Sequence, residues 1–507
     1  MQPLLFELSD AGQINDYLPP LDVPETAFEY SLRDSLPLPE VDEHSIVRHY
    51  TRLSHKNFSI DTEFYPLGSC TMKYNPKINE VVASMPGFAQ VHPLQDEASA
   101  QGWLEVLYEA QRVLAQIAGL HAATVQPLAG AQGEFCGLLM IRAYHESRGE
   151  GQVRTRIVVP DSAHGTNPAS AARCGYSVTS VASNEHGCVD LEAMQQALGA
   201  DVAAVMITNP NTLGVFEKDI EKLCAMAHDA GALVYMDGAN MNAILGAVRP
   251  GDTGVDVMHF NVHKTFSTPH GGGGPGAGPV AVRDILEPFL PSPLVIKSGD
   301  RNGASEYSMQ CDRPQSIGQL HAFWGNAGIV LRALTYILRH GDKGLKEISE
   351  NAVLSANYVL ARLRGTYATA NENICKHECV LSASELKAKY GVTAWDIAKR
   401  LPDYGFHAPT VYFPTIVKES LMIEPTETET KATLDEFCDA MLKIAAEAAQ
   451  NADLLHHAPH NLAIGRLDEA NAARCLNLCW APPQETCESN GVVAGEAARE
   501  VPQASTY

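Results

Sequence analysis

Five short apolar segments with helical stretches between them constrain the fold of this chain more than any other feature. The segments are rich in β-branched residues and too short for helices, so we predict strands at 156–160, 176–182, 202–208, 232–236 and 255–260. Helical patterns, such as those at 191–198 and 220–230, separate several of them. Short buried strands that alternate with helices are typical of a parallel sheet covered on both faces. The sequence therefore predicts a doubly wound α/β fold.

The regions around these strands differ in composition. Residues 1–95 contain many prolines and few periodic runs, as expected of an arm that wraps a neighbouring subunit or domain. We predict a large α/β domain at 96–330, with a further strand at 278–283, and a smaller C-terminal α+β domain at 331–480. The small, polar and aperiodic tail at 481–507 is predicted to be disordered.

The charge balance argues against several kinds of partner. The chain has 37 basic and 60 acidic residues and a net charge of −23, which opposes binding to nucleic acid or to an anionic membrane. We see no targeting segment and no apolar run of about 18 residues, and we expect a soluble cytoplasmic protein. The 12 cysteines are scattered, as in reduced cytosolic proteins. Cys375 and Cys379 have no second pair at finger-like spacing, so we predict thiols and no metal site.

Two charged residues follow predicted strands at the edge where open α/β sheets bind ligands. A carboxylate at Asp237 can keep the ring nitrogen of pyridoxal 5′-phosphate (PLP) protonated, which makes the ring a better electron sink. Lys264, just past another strand, can form a Schiff base with the same cofactor. Taken separately, such an aspartate often caps a helix and such a lysine is usually a surface charge. Together they predict a PLP site that includes Asp237, Ala239, His263 and Lys264.

Three loops are predicted to lie at the same edge. The loop that begins at Gly130 opens a helix, and its free N–H groups can bind a phosphate, although alone it would equally be a simple turn. His164 follows the strand 156–160 and can stack on a pyridine ring, whereas a lone histidine is more often structural. Amides and hydroxyls after the strand 202–208 can bind the phenolic oxygen of PLP. The predicted residues are Ala131, Gln132 and His164, with Asn209, Asn211 or Thr212 for the phenolic oxygen.

At these residues the sequence closely resembles the P-protein family of the glycine cleavage system, PLP-dependent glycine dehydrogenases (decarboxylating). The likeness covers about residues 30–480, and its most specific motif surrounds Lys264. The length, with only the lysine-bearing half present, resembles the separate second, or beta, subunit of that family. The matching stretches are 64–77, the Gly130 loop, 161–168, 208–214, 237–242, 261–278, 403–414 and 423–429.

The resemblance implies a PLP-dependent transferase of fold type I, whose large domain holds a mostly parallel sheet of the seven-stranded type. It also implies decarboxylation of glycine, with release of CO₂ and transfer of the aminomethyl group to the lipoyl arm of H-protein. Lys264 and His164 are the implied catalytic residues, and His164 or His407 would protonate the lipoyl thiolate. The implied partners are lipoylated H-protein and subunit 1 (alpha), in a heterotetramer of two alpha and two beta chains.

Two other functions fit part of the pattern. Another PLP enzyme of this fold, such as an amino acid decarboxylase or a cysteine desulfurase, would use an aspartate and a lysine in the same way as Asp237 and Lys264. Such an enzyme would not be expected to carry residues 65–77 and 424–429 in this form, and none of the cysteines stands out as a desulfurase nucleophile. A catalytically silent structural subunit is the non-enzyme alternative, and the presence of Lys264 argues against it.

Overall fold

A seven-stranded sheet forms the centre of the fold, as the sequence predicts. Its strands are β1 (Ala122–Thr124), β2 (Arg156–Pro160), β3 (Ser177–Val181), β4 (Val202–Thr208), β5 (Leu233–Gly238), β6 (Val257–Phe260) and β7 (Val280–Val282), in the spatial order β1-β7-β6-β5-β4-β2-β3. The pairs from β3 through β2, β4 and β5 to β6 are parallel. Strand β7 pairs antiparallel with β6 and with β1. The predicted strands are confirmed, with ends that differ by up to two residues.

The computed structural model describes residues 2–10, 19–20, 22–24, 30–31, 38–271, 274–301, 303–320, 325–370, 374–476 and 478. The chain divides into two units, Met1–Gly465 and Arg466–Tyr507, and the predicted tail at 481–507 lies outside the described residues. The helices of the first unit are α1 (Leu5–Leu8), α2 (Glu43–Ser54), α3 (Lys77–Ala83), α4 (Pro86–Ala89), α5 (Gln101–Ala118), α6 (Gly130–Ser147), α7 (Thr166–Arg173), α8 (Leu191–Ala197), α9 (Ile220–Asp229), α10 (Val262–Thr265), α11 (Ala327–Leu363), α12 (Ser384–Tyr390), α13 (Ala394–Arg400), α14 (Lys431–Gln450) and α15 (Ala452–His456). The second unit contains α16 (Glu469–Arg474), which begins after Asp468, whose side chain accepts a hydrogen bond from the N–H of Asn471.

Helices cover both faces of the seven-stranded sheet. Strand β4 is buried along its whole length, and its successive side chains point to opposite faces. Val205 and Ile207 belong to a core with residues of α5, α8, α9 and α11. Ala204 and Met206 belong to a second core with residues of α6 and α7. Burial on both faces explains why the central strands are continuously apolar in sequence.

A second, antiparallel sheet follows later in the chain. Its strands are β10 (Ala368–Thr369), β11 (Cys379–Ser382), β12 (Thr410–Val411) and β13 (Ser420–Ile423), in the order β10-β11-β13-β12, and a separate hairpin pairs β8 (Leu294–Arg301) with β9 (Ala304–Gln310). Residues of α12, α13, α14 and α15 pack with this sheet in a core of their own. Strands and helices in this arrangement confirm the predicted α+β character of the C-terminal part.

Helix α11 connects the two cores and changes direction at Gly341. That glycine has a φ of 63° and a ψ of −174°, values outside the helical region. Ile337, before the change, packs in the core of the large sheet, and Ala356, after it, packs in the core of the second sheet. The helix therefore runs across the domain boundary predicted at residue 331, and that boundary remains a prediction.

Residues 64–74, which we call the strap, lie against the second sheet. Leu67 forms an antiparallel bridge with Ile423, and the N–H of Gly68 donates to the carbonyl of Met422 at 3.2 Å. A Cβ at Gly68 would lie 2.2 Å from Cγ of Met422, so this approach requires glycine. This part of the predicted arm thus contacts its own chain.

Within the part of the chain that the structure describes, no helix combines the length and the hydropathy that a membrane crossing requires.

Candidate active site

Three buried polar residues form a row across the carboxyl edge of the large sheet. The register of the parallel strands pairs Thr208 of β4 with Asp237 of β5, and Asp237 with His259 of β6. Each of the three is at most 2% exposed. The sequence predicts that Thr208 and Asp237 lie at one sheet edge, and the register places them side by side. It does not single out His259, which reads as part of an apolar strand.

Asp237 has a hydrogen-bond donor at each oxygen. Oδ1 accepts from the N–H of Ala239 at 2.9 Å and lies 3.3 Å from Nε2 of His259, while Oδ2 accepts from Nδ2 of Asn167 at 2.9 Å. The hydroxyl of Tyr235 lies 2.7 Å from Nδ1 of His259, so Nε2 carries the proton that points at Asp237. Although burial opposes ionisation, His259 and Asn167 hold the pKa of Asp237 below its usual value. Asp237 is therefore a fixed negative charge at the sheet edge.

Glu134 lies behind Asp237 and was not among the predicted site residues. Its two oxygens accept hydrogen bonds from the hydroxyls of Thr166 and Ser170, each at 2.6 Å. One ligand atom each from Glu134, Asp237 and His259, which we call the sheet-edge cluster, lie within 4.8 Å of one another. Burial and the charge of Asp237 raise the pKa of Glu134 to about 7. The sequence does contain one indication of Glu134, because a glutamate on the buried face of a helix is unusual.

Lys264 lies in the single turn of α10, directly after β6, as the sequence predicts. The residue is 8% exposed. Its Nζ has no hydrogen-bond partner among the described residues, which is unusual for a buried ammonium group. The charge of Lys264 acts on His164 and His259 at the sheet edge, and on Glu378 and Glu424 beside the strap. The charge of the lysine therefore influences both groups of ionisable residues.

The Gly130 loop opens α6 as predicted and leaves backbone donors available. No side chain caps the helix, and the N–H groups of Ala131 and Gln132 have no acceptor in the described part of the chain. The side chain of Gln132 accepts from the N–H of Leu128 at 2.6 Å, which closes the loop. A Cβ at Gly130 would lie 2.0 Å from Oδ1 of Asn261, so only glycine lets the loop approach the residue that precedes α10.

The other predicted site residues are placed as follows. His164 donates its backbone N–H to Oγ1 of Thr208 at 3.1 Å, and its Nδ1 lies 2.9 Å from Oγ1 of Thr166. His263 is half-buried, and its Nδ1 has no partner in the described part of the chain. His407 stacks on Tyr65 at a ring separation of 3.7 Å, and its Nδ1–H donates to the carbonyl of Ala408 at 2.7 Å. Burial lowers the pKa of His164 and of His407, so both rings are neutral at neutral pH.

Most polar atoms of the loop after β4 form hydrogen bonds within the loop or with the loops that contain Gly187 and Ser162. Nδ2 of Asn211 donates to Gly187 and Glu217, and its Oδ1 accepts from Leu213 and Val215. The hydroxyl of Thr212 donates to the carbonyl of Ser162 at 2.9 Å. Asn209 accepts at Oδ1 from Glu217, but no described residue accepts from its Nδ2. Of the three alternatives for the phenolic oxygen, Asn209 therefore has the available donor.

A second group of buried ionisable residues lies at the strap, and sequence reasoning missed it. Cys379 pairs with Ile423 across β11 and β13, so Glu378, just before β11, faces Glu424, just after β13. We call Glu378 and Glu424 the acid pair. Nε2 of His377 lies 3.9 Å from Glu378 and 4.0 Å from Glu424, and all three residues are 0% exposed. Burial and the charge of Glu424 raise the pKa of Glu378 well above its ordinary value, and burial raises that of Glu424 to about 7.

The strap binds the acid pair through backbone donors. The N–H of Ser69 donates to Oε2 of Glu378 at 2.8 Å, and the N–H of Thr71 donates to Oε2 of Glu424 at 2.9 Å. Ser69 and Thr71 have φ values of 64° and 45°, in the left-handed region that non-glycine residues rarely adopt. From the sequence, we interpreted Cys375 and Cys379 only as thiols. All ten cysteines in the described residues are free. His377 and Glu378 are the polar residues between those cysteines.

These groups fit pyridoxal 5′-phosphate. Asp237 offers a carboxylate for a ring nitrogen, the start of α6 offers N–H groups for a phosphate, and Lys264 offers an amino group for the aldehyde. Buried hydroxyls of Thr265 and Thr268, next to Lys264, have no partner among the described residues. Residues 140–294 match the family Aminotransferase class-V. The fold and the site thus define a pyridoxal 5′-phosphate-dependent enzyme of fold type I.

The chain belongs to the family of glycine dehydrogenase (decarboxylating) subunit 2. It is 53% identical to a protein of Alkaliphilus oremlandii named "Probable glycine dehydrogenase (decarboxylating) subunit 2", over 94% of this chain and 98% of that protein. A protein of the same name from Halalkalibacterium halodurans is 54% identical over 93% of this chain and 97% of its own length. Residues 348–462 match the family Glycine dehydrogenase, C-terminal domain.

Solved structures share the fold at low sequence identity. An inhibitor-bound glycine decarboxylase (P-protein) of the glycine cleavage system superimposes with a TM-score of 0.68 at 20% identity, over 85% of this chain and 92% of that one. The cysteine desulfurase CsdA from Escherichia coli gives a TM-score of 0.57 at 16% identity, over 76% of this chain and 95% of its own. These likenesses concern the fold, which both kinds of enzyme share.

Proposed function

We propose that this chain is the PLP-bearing second subunit of a glycine dehydrogenase (decarboxylating). In this proposal it decarboxylates glycine, releases CO₂ and transfers the aminomethyl group to the lipoyl arm of H-protein. The names of full-length relatives support the reaction. The observation that carries the proposal is the amino group of Lys264, buried without a hydrogen-bond partner among the described residues and close enough to the sheet-edge cluster for its charge to act on His259.

We assign the cofactor contacts from the donors and acceptors that remain available. Asp237 would hold the ring nitrogen in its protonated form, because its charge is fixed by three donors. Ala131 and Gln132 would bind the phosphate through their N–H groups, and His164 would cover one face of the ring. Ala239 and His263 are the other proposed contacts of the cofactor, and Nδ2 of Asn209 is the proposed donor to the phenolic oxygen in place of Asn211 and Thr212. The bound cofactor supplies the electron sink for the bond that breaks.

The chain's own residues also limit what the site accepts. Lys264 and Asp237 lie in an interior largely closed to water, which strengthens electrostatic interactions. Glycine offers no side chain to bind, so a tight space rather than added contacts would select it. His164 and His407 remain the proposed alternatives for the acid that protonates the lipoyl thiolate, and because burial lowers the pKa of both rings, either would act from its neutral form.

The proposal extends to partners and location. Relatives named as a second subunit support a subunit 1 partner, and we propose a heterotetramer of two alpha and two beta chains. Lipoylated H-protein would be the acceptor of the aminomethyl group. We also propose a cytoplasmic location, which the free thiols in the described residues support.

One experiment tests the site and the reaction together. The chain is purified with subunit 1, loaded with PLP, reduced with borohydride and digested for mass spectrometry, which should find the pyridoxyl group on Lys264. With lipoylated H-protein, the enzyme should exchange labelled CO₂ into the carboxyl group of glycine. The matched control is Lys77→Ala, because Lys77 is exposed and pairs with Asp61 on the surface. A pyridoxyl group on Lys73 or Lys77, or sulfide release from cysteine without glycine exchange, would overturn the proposal.

A further inference from the structure

We propose that Glu378 and Glu424 share a single proton and act together as the acid–base partner of Lys264. The proton moves from a carboxyl oxygen of the pair to Nζ of Lys264, or returns, as the lysine is released from the cofactor and bound again. The inference rests on the proposed function, because that function makes Lys264 the residue that gains and loses a proton in each cycle.

The first argument is the position of the two carboxyl groups. They face each other at the ends of β11 and β13, and like charges directly opposite in an antiparallel pair repel. Both residues are 0% exposed, so water does not screen that repulsion. Two carboxyl groups that share one buried site cannot both ionise near neutral pH. The pair therefore holds one proton and one negative charge, which avoids two unscreened like charges side by side.

The second argument is the pattern of hydrogen-bond partners. Oε2 of Glu378 and Oε2 of Glu424 each accept a backbone N–H from the strap, which stabilises the remaining negative charge. Oε1 of Glu378 has no partner among the described residues, so it can carry the shared proton. Ser69 and Thr71 adopt positive φ values to present these N–H groups, and backbone strain of this kind is concentrated at functional sites.

The third argument comes from His377, which is aimed at the pair. Both ring nitrogens are buried and without a partner in the described residues, although Nε2 is within 4.0 Å of both carboxyl groups. Burial lowers the pKa of His377 to about 3, so the ring does not supply a counter-charge. A neutral imidazole at this distance can donate a hydrogen bond to either carboxyl group after a small movement.

The charged and titratable groups that face the pair come from two elements. Lys264 of α10 acts on both glutamates, and Cys70 and Lys73 of the strap lie close enough to be coupled to them. Lys73 is already bound by Glu427 at 2.7 Å, and burial raises the pKa of Cys70, which keeps that thiol neutral. Lys264 is therefore the cation with which the pair exchanges its proton.

Infrared spectroscopy tests the shared proton without relying on activity. In the full chain with subunit 1, at neutral pH and with or without cofactor, we expect a carbonyl band of a protonated carboxyl group in the spectrum of wild type minus each variant, a subtraction that cancels the band of Glu134. Glu378→Gln and Glu424→Gln should each remove it, because the remaining glutamate ionises alone beside Lys264. Glu385→Gln is the matched control, since Glu385 is 63% exposed and pairs with Lys389 on the surface. A wild-type enzyme without the band, or a band that survives both substitutions, would overturn the inference.

A second measurement follows the visible absorbance of the cofactor joined to Lys264. We expect the double variant Glu378→Gln/Glu424→Gln to move the pH midpoint of this absorbance down by about one unit, because it removes the negative charge that stabilises protonated Nζ. The single variants should keep the midpoint and lower kcat about 100-fold with little change in KM. An unchanged midpoint in the double variant contradicts the inference even if glycine is still decarboxylated. A wild-type chain without a pyridoxyl group on Lys264 would refute the proposed function. The infrared measurement would still show whether Glu378 and Glu424 share a proton, because it does not need the cofactor.

Discussion

The two groups of buried carboxyl side chains beside Lys264 differ in how completely they are hydrogen-bonded. In the sheet-edge cluster, each carboxyl oxygen of Asp237 and Glu134 has a donor from a neighbouring residue. In the acid pair, Oε1 of Glu378 has none among the described residues, and both nitrogens of the adjacent His377 are also unpartnered. Both groups are buried to a similar degree, so burial does not explain the difference.

The difference separates a fixed charge from a movable proton. Donors that surround a carboxylate stabilise its charge and hold its position, as they do for Asp237. A pair of facing carboxyl groups with an incomplete set of donors favours one proton that can move between sites. We infer that Asp237 supplies the constant charge beside the cofactor, while the second sheet and the strap supply proton exchange.

The largest effect is expected where the fixed charge is removed. Asp237→Asn keeps the shape of the side chain but loses its negative charge, so the cofactor ring would no longer be held protonated. We expect kcat to fall about 1000-fold, which exceeds the loss in the acid-pair variants. Steady-state kinetics with saturating PLP measures it, and an unchanged melting temperature serves as the control. More than a tenth of wild-type activity in this variant would show that the charge is not essential.

The acid pair should depend on the strap, whereas the sheet-edge cluster should not. Lys73 holds the strap by donating to Asn242 and Glu427 and to the carbonyl of Thr265. Lys73→Met leaves Glu427 buried and unpaired, so we expect a loss of about 3 kcal/mol in the free energy of unfolding. Lys77→Met is the control, because the pair of Lys77 with Asp61 is exposed and should contribute less than about 1 kcal/mol. Denaturant unfolding compares the two, and equal losses would contradict the role given to the strap.

A smaller effect is expected when the support of Asp237 is weakened. Tyr235→Phe removes the hydroxyl that lies 2.7 Å from Nδ1 of His259 and fixes its tautomer. We expect kcat to fall about 10-fold while the carbonyl band of the acid pair stays unchanged. Kinetics and infrared spectra of the same preparation give both values. Loss of the band in this variant would mean that the two groups are not separate.

The last effect is on stability and not on rate, and it concerns the dependence of stability on pH. The pKa of Glu134 rises from an ordinary value of 4.5 to about 7 on folding, so the folded state binds the proton more tightly. Its contribution to stability is present in full below pH 4.5 and is lost as the pH rises to about 7. Glu134→Gln should remove this loss and gain about 3 kcal/mol relative to wild type by the upper limit. Thermal melts at a series of pH values measure it, and parallel curves for the two proteins would contradict it.

Local pattern was enough to predict most of the sheet and to place Asp237 and Lys264 at the ends of its strands. Short β-branched segments identify strands, and a parallel sheet brings all their carboxyl ends to one edge, so Asp237 and Lys264 could be placed near each other without a structure. Asn211 shows the limit of that reasoning. Its type and position fit a cofactor contact, but four hydrogen bonds occupy the side chain, three within its own loop and one to Gly187.

The acid pair could not be predicted in the same way. Its members are brought together by antiparallel pairing of β11 with β13, and that register depends on the whole second sheet. The strap contacts are more distant still, since Ser69 binds a residue 309 positions away and Thr71 one that is 353 positions away. No periodicity connects residues at such separations. In the sequence alone, Glu378 beside Cys379 is therefore indistinguishable from an ordinary polar residue.

The strap also bears on how the protein is made. A ribosome releases residues 64–74 early, but their partners on β13, at Glu424 and at Glu427 are synthesised more than 340 positions later. During most of translation the backbone donors of Ser69 and Thr71 have no native acceptor, and the large sheet can form before the site is complete. A nascent chain thus acquires Asp237 and Lys264 well before it acquires the acid pair. Competence for catalysis should appear only near the end of synthesis, after the cofactor-binding edge has formed.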